Sequence, residues 1–152
     1  MTHESGQKKM NRKKLVRVVV FGVFDCFHPG HRSFLRQARQ YGRTLTVVVA
    51  RDSMIKVLKG QKPQEGESKR LAAVRMAPGV TEAVLGDRKL GIYSILKRER
   101  PDVICLGYDQ RALGKDLRMR MRRGEIPRIK TVWLFPHKPH RFKSSVVKHA
   151  RS

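Results

Sequence analysis

The feature that most restricts how this chain can fold is an alternation. Short runs of β-branched and aliphatic residues take turns with longer amphipathic runs. Residues 16–21 (VRVVVF), 45–50 (LTVVVA), 82–85 (EAVL), 103–106 (VICL) and 129–135 (IKTVWLF) have the length and composition of buried strands. Gly22, Gly86 and Gly107 stop three of them. Between them lie 29–41, 52–58, 68–76, 92–98 and 110–123, which read as helices. A strand–helix–strand succession implies parallel strands with helices on both faces. With right-handed crossovers the result is a doubly wound, Rossmann-like α/β sheet of five strands in the order 3-2-1-4-5.

Finer expectations follow from local chemistry. Asp52 is expected to cap the second helix. Lys59 to Gly66, with two glycines and a proline, is expected to be a loop, and Pro78-Gly79 to end the third helix. Ile92, Ile95 and Leu96 should face inward from the fourth, and 144–150 should form a last short helix. Residues 1–14 are expected to be a disordered basic lead and 15–152 a single domain, as suits a chain of 152 residues.

Charge narrows the partners. Thirty-five Lys and Arg oppose 12 Asp and Glu, giving a formal net charge of +23. Such a field attracts polyanions, whether nucleoside triphosphates, phosphorylated metabolites or nucleic acid. The stretch 111–130 and the lead at 8–17 concentrate it, and they define a second class of reading, a basic RNA-binding protein. Aromatic residues suited to base stacking are sparse there, which weighs against that class. No apolar run reaches the roughly 18 residues of a membrane span. Residues 1–14 lack the apolar middle of a signal peptide, so a cytoplasmic location is expected. Cys26 and Cys105 are far apart, and both are expected to be reduced, partly buried thiols.

The richest segment joins the first strand to the first helix: Phe21-Gly22-Val23-Phe24-Asp25-Cys26-Phe27-His28-Pro29-Gly30-His31. In such sheets, ligands bind beyond the carboxyl ends of the strands. His28 and His31, three residues apart, can point the same way from a first helical turn. Gly30 lets a phosphate approach the backbone, and a helix start offers free N–H groups to an anion. Donors of this kind suit nucleotidyl transfer, in which negative charge grows on the α-phosphate and the leaving pyrophosphate. Three other readings compete: polar surface residues, a phosphate site without turnover, and a metal site sharing Cys26. The last lacks a fourth nearby ligand, so no protein-held metal is expected.

Gly22-Val23-Phe24-Asp25, followed by His28-Pro29-Gly30-His31, resembles the G-x-F-D-x-x-H-x-G-H signature of the cytidylyltransferase-like nucleotidyltransferases. That superfamily includes glycerol-3-phosphate cytidylyltransferase, pantetheine-phosphate adenylyltransferase and the archaeal FAD synthases. Residues 49–52 (VARD), Lys59-Gly60, Lys62-Pro63, Arg70-Leu71 and 102–110 (DVICLGYDQ) are similar to the archaeal FAD synthase pattern. The resemblance implies a HUP-type nucleotidyltransferase fold and the transfer of a nucleoside monophosphate, from ATP or CTP, to a phosphorylated acceptor. AMP transfer to FMN is the leading expectation and CMP transfer to glycerol-3-phosphate the alternative. It further implies that His28 and His31 contact the triphosphate, and that Lys59, with Lys56 as the alternative, is a mobile phosphate-binding lysine. Gly22, Val23, Phe24, Gly30 and Gly107 would lie against the nucleotide, and Asp109 near ribose and Mg2+, though Asp109 also reads as a helix cap. Arg70 is either structural or substrate-facing. Ser144 and Ser145, after Arg141, stand where the family holds the β- and γ-phosphates. Lys143 replaces the usual isoleucine there. Dimers are common among such proteins, so a homodimer is a further expectation.

Overall fold

A computed structural model of the protein describes residues 16–137. The basic lead and the helix expected at 144–150 lie outside the described residues. Five parallel strands form one sheet in the order β3-β2-β1-β4-β5, as expected. The strands are β1 (Arg17–Gly22), β2 (Thr44–Val49), β3 (Glu82–Leu85), β4 (Val103–Leu106) and β5 (Lys130–Trp133). The helices are α1 (Pro29–Arg39), α2 (Asp52–Lys59), α3 (Glu67–Arg75), α4 (Ser94–Glu99) and α5 (Arg111–Arg122). No helix among the described residues is long and apolar enough to cross a membrane.

The central strands read as near-continuous apolar runs because both of their faces are covered. Val18 and Val20 of β1 join Leu45, Val47, Val49 and Cys105 in one core, beneath α1 and α3. Val19, Val48, Ile104 and Leu106 turn to the opposite core, where Leu96 and Leu117 of α4 and α5 close it. The alternation is the two-residue period of a strand, here apolar on both sides. Because β1 pairs with both β2 and β4, the crossovers diverge at its carboxyl end, and a crevice opens there between the β1–α1 and β4–α5 loops.

Two expectations are corrected. Asp52 is the first residue of α2 rather than its cap, and Arg51 holds the cap position without a side-chain bond. The Asp52 carboxylate instead binds Arg70 and the Glu67 N–H, so a partner distant in sequence outcompetes the local helix end. Ile92 precedes α4 and remains 38% exposed, whereas Ile95 and Leu96 are buried. Tyr93 takes a left-handed conformation with φ 48°, which stops the helical pattern from extending back to residue 92.

Candidate active site at the β1–α1 turn

The signature segment leaves β1 through a tight, strained path. Phe24 and Cys26 both adopt left-handed backbone, with φ of 56° and 49°. For residues with a Cβ this costs about 1–2 kcal/mol each. Phe24 is buried, and its ring lies over Gly22, where an added Cβ would come within 2.6 Å of Phe24 Cε2. Only glycine fits beneath that ring.

Asp25 secures the path. Its carboxylate accepts the N–H groups of Gln64 and Glu65 at 2.8 and 2.9 Å, while the Glu65 carboxylate accepts the Cys26 N–H at 3.2 Å. Desolvation opposes the ionised form of Asp25. The two N–H donors and the Arg70 guanidinium outweigh it and hold the carboxyl below its ordinary range. Arg70, wholly buried, completes the tie. It donates to the Glu65 carbonyl at 2.9 Å, the Val23 carbonyl at 2.8 Å and Asp52 Oδ1 at 2.6 Å. Arg70 is therefore structural, positioning the loop from behind.

The histidines cap α1 and thereby fix their own tautomers. His28, at the cap position, accepts the Gly30 N–H on Nδ1 at 3.1 Å. His31 accepts the His28 N–H on Nδ1 at 3.2 Å. Each Nδ1 is an acceptor, so the proton of each neutral ring sits on Nε2. The rings stack with centroids 3.7 Å apart and planes 20° from parallel. Gly30 is again required, since a Cβ there would meet His28 Cε1 at 2.9 Å. His31 also packs on Phe24 and Phe27, with ring centroids 5.4 Å away in both cases.

This arrangement corrects the expectation of free N–H groups at the helix start. Pro29 has no N–H, Gly30 and His28 donate to the two rings, and His31 and Arg32 donate to the His28 carbonyl. An anion would meet two Nε2–H groups and the helix dipole instead. Burial pushes the His31 imidazole down to about 4, and the neighbouring His28 adds to the effect. At neutral pH His31 is thus an uncharged donor.

Across the crevice, the Asp109 carboxylate lies close enough to oppose that shift electrostatically. Asp109 makes no capping bond: Gln110 occupies the cap position of α5. Gln110 was not singled out from the sequence, yet it ties the two loops. Its amide donates to the Phe21 carbonyl at 2.7 Å and accepts the Gly107 N–H at 2.8 Å. At Gly107 a Cβ would stand 3.2 Å from Asp109 Oδ1 and 3.4 Å from Phe34 of α1. The carbonyls of Gly22 and Val23 are already engaged, by the Ala50 N–H and by Arg70. Lys59 ends α2 in an exposed position, followed by Gly60 at φ 77°, and no hydrogen bond or ion pair holds it among the described residues. Cys26 sits beside Asp25 and Gln64, not beside the imidazoles, and the strained turn leaves it exposed rather than partly buried as expected, whereas Cys105 in β4 is buried. Ser144 and Ser145 lie outside the described residues.

Comparison with known proteins bears on the family and the fold. The family model described as cytidylyltransferase-like matches residues 19–148. An FAD synthase of Thermococcus sibiricus is 35% identical over 146 residues, covering 93% of each chain. An FAD synthase of Aciduliprofundum boonei is 45% identical over 120 residues, covering 79% of this chain and 78% of its own. Among solved structures, a lipopolysaccharide core biosynthesis protein from Thermoplasma volcanium superposes with a TM-score of 0.73 at 33% identity. That match covers 81% of this chain and 98% of the other. A signature loop folded around stacked histidines at the sheet's switch point, and a family match spanning nearly the whole domain, place this chain in the cytidylyltransferase-like family.

Proposed function

We propose that the protein is a nucleotidyltransferase that moves AMP from ATP to FMN, forming FAD and releasing pyrophosphate. The observation that carries the chemistry is the stacked histidine pair, with both Nδ1 atoms committed to the backbone and both Nε2–H groups left to donate. The FMN phosphate oxygen attacks the α-phosphorus of ATP, forming one P–O bond. The bond from that phosphorus to the bridging oxygen breaks, and the electron pair leaves with pyrophosphate. A phosphate nucleophile is already ionised near neutral pH, so no general base is required. His28 and His31 stabilise the charge that grows on the phosphate oxygens. Each such donor contributes about 3 kcal/mol when aimed at the transition state. Lys59, exposed at the carboxyl end of α2, would reach the phosphates of the bound nucleotide.

Mg2+ would arrive with the triphosphate, held largely by phosphate oxygens and water. The exposed Asp109 carboxylate is a hard oxygen donor with no hydrogen bond or ion pair among the described residues, which suits that cation. The choice of ATP and FMN rests on the two FAD synthases, which align with this chain over most of their length.

The test is to incubate the protein with Mg2+ and each nucleoside triphosphate against FMN, glycerol-3-phosphate and other phosphorylated acceptors. Pyrophosphate and the nucleotidylated product are then measured. ATP with FMN is expected to give FAD and pyrophosphate in equal amounts. Turnover with CTP and glycerol-3-phosphate but not with ATP and FMN would overturn the substrate assignment. No pyrophosphate from any pair would overturn the enzymatic reading.

A further inference from the structure

Helix α5 carries a glycine at its fourth position, the end of its first turn, where glycine costs up to about 1 kcal/mol relative to alanine. Gly114 has a visible reason. It faces Trp133 at the end of the edge strand β5, and a Cβ there would stand 2.8 Å from the indole Cζ2 and 3.2 Å from Leu106 Cδ1. The hollow left by the glycine receives the benzo edge of the indole, whose Cζ2 and Cη2 lie nearest the helix, and Trp133 stays 42% exposed. Arg111, Lys115 and Arg118 surround that seat, and together with Trp133 they line a cavity of about 450 Å³. All three cations are exposed.

The three have no carboxylate partner among the described residues, unlike Arg120 and Arg123 of the same segment, which pair with Asp116 and Glu125. Asp116 does not neutralise the cavity, because its Oδ2 is committed to the Tyr93 hydroxyl and to Arg120. Spaced at i, i+4 and i+7, the cations form a line of about 10 Å along the helix axis. That line starts at the carboxyl end of β4 and runs back along the sheet edge, away from the stacked histidines.

We propose that this edge is a binding site for single-stranded nucleic acid, with a base stacked on Trp133 and consecutive phosphates on Arg111, Lys115 and Arg118. An aromatic face beside a row of unpaired cations is the combination that single strands use: base stacking on the ring, and backbone neutralisation along the groove. A duplex offers phosphates but no free base face. The net charge of +23 raises the local concentration of any polyanion, and the site gives that attraction a place and a geometry. The inference is independent of the nucleotidyl transfer proposed above.

Trp133 is the only tryptophan of the chain, so its fluorescence reports this site alone. The experiment titrates the full-length protein with oligo-uridylate, oligo-thymidylate, duplex RNA and inorganic polyphosphate. Indole quenching is read together with the affinity of a labelled strand between 50 and 300 mM NaCl. Both single strands are expected to quench Trp133, whereas duplex and polyphosphate leave it bright. A preference for uridylate over thymidylate assigns the site to RNA, and equal binding assigns it to single strands of either sugar. Replacing Arg111, Lys115 and Arg118 by Gln removes three phosphate contacts, so the slope of log affinity against log salt should fall by about 2 for a single strand. Affinity at 50 mM salt should drop at least tenfold. Lys115→Gln with Arg118→Gln, both on the exposed helix face, gives the same direction without touching the residue next to the β4 loop. Unchanged Trp133 emission on saturation with single strands, or an unchanged salt slope in the triple variant, would overturn the proposal and leave binding to charge elsewhere on the chain.

Discussion

Replacing His31 by Ala separates two roles that the structure gives to one ring. The catalytic role rests on Nε2–H, which the bond from the His28 N–H to Nδ1 leaves as the donor. Removing one donor aimed at developing oxyanion charge costs about 2.7–4 kcal/mol, or roughly 10²–10³ in kcat. The structural role is the cap itself, the 3.2 Å bond from the His28 N–H, which contributes about 1 kcal/mol. Loss of the ring's packing on Phe24 and Phe27 adds about 1 kcal/mol more. For a domain of this size each kcal/mol moves Tm by about 3 °C, so the variant should melt roughly 6 °C lower while staying folded at 25 °C. The assay is steady-state pyrophosphate release with ATP, Mg2+ and FMN at 25 °C, with thermal unfolding measured in parallel. His31→Asn supplies the control. Its short carbonyl can still accept the His28 N–H and restore about half of the lost Tm, roughly 3 °C, but its amide does not extend as far as Nε2. In both variants kcat should be at least a hundredfold down, and only Asn should recover part of the stability. Were His31→Ala to keep kcat within about threefold of wild type, or were Asn to restore rate along with Tm, His31 would be a helix cap and nothing more.

Three further outcomes are expected. Lys59→Ala should lower kcat more than it raises KM for ATP, because an exposed lysine beside the left-handed Gly60 is free to follow the phosphates into the transition state; an unchanged rate in the same pyrophosphate assay would return it to solvent. Asp52→Ala leaves the wholly buried Arg70 without its counter-ion. It should cost about 2–3 kcal/mol in urea unfolding, the low end for a broken buried pair because Asp52 itself is partly open to water. The depressed His31 gives stability a pH slope. The unfolded state binds the proton first, so the contribution is complete above about pH 6.5 and is lost as pH falls toward about 4, by roughly 2–3 kcal/mol after allowance for solvent screening. Urea midpoints taken between pH 7 and 4 should therefore fall less steeply for His31→Ala than for wild type.

The strand and helix order was legible because it rests on periodicity, which is local. Val16 to Phe21 and Val103 to Leu106 announce buried strands, and the sheet order follows from crossover geometry once the helices between them are counted. The His28–His31 pair was legible for the same reason: helical spacing at a strand end. What escaped was set by contacts distant in sequence. Asp52 has the composition of a helix cap, and nothing local reveals that Arg70, 18 positions on, captures it. Gln110 looks like the polar first residue of a helix, and only the pairing of β4 with β1 brings its amide to the Phe21 carbonyl, 89 residues back. The tautomers were equally hidden, since they depend on which backbone N–H each ring meets once α1 has formed.

The same contacts explain why the signature needs its aspartate although Asp25 is not among the proposed catalytic groups. The path from Gly22 to His28 is costly in isolation, with two left-handed residues that a free loop would abandon. What holds it is a second segment, residues 52–70, acting through Asp25, Glu65 and Arg70. Charge-assisted hydrogen bonds to N–H and carbonyl groups contribute about 1.5–3 kcal/mol each. The bonds to the Asp25 carboxylate and from the Arg70 guanidinium to the Val23 carbonyl therefore exceed the strain of Phe24 and Cys26. The position of the histidine pair is thus a consequence of the Asp52–Arg70 unit behind it. Substitutions there should weaken catalysis through displaced imidazoles, without any contact between the substituted side chain and the nucleotide.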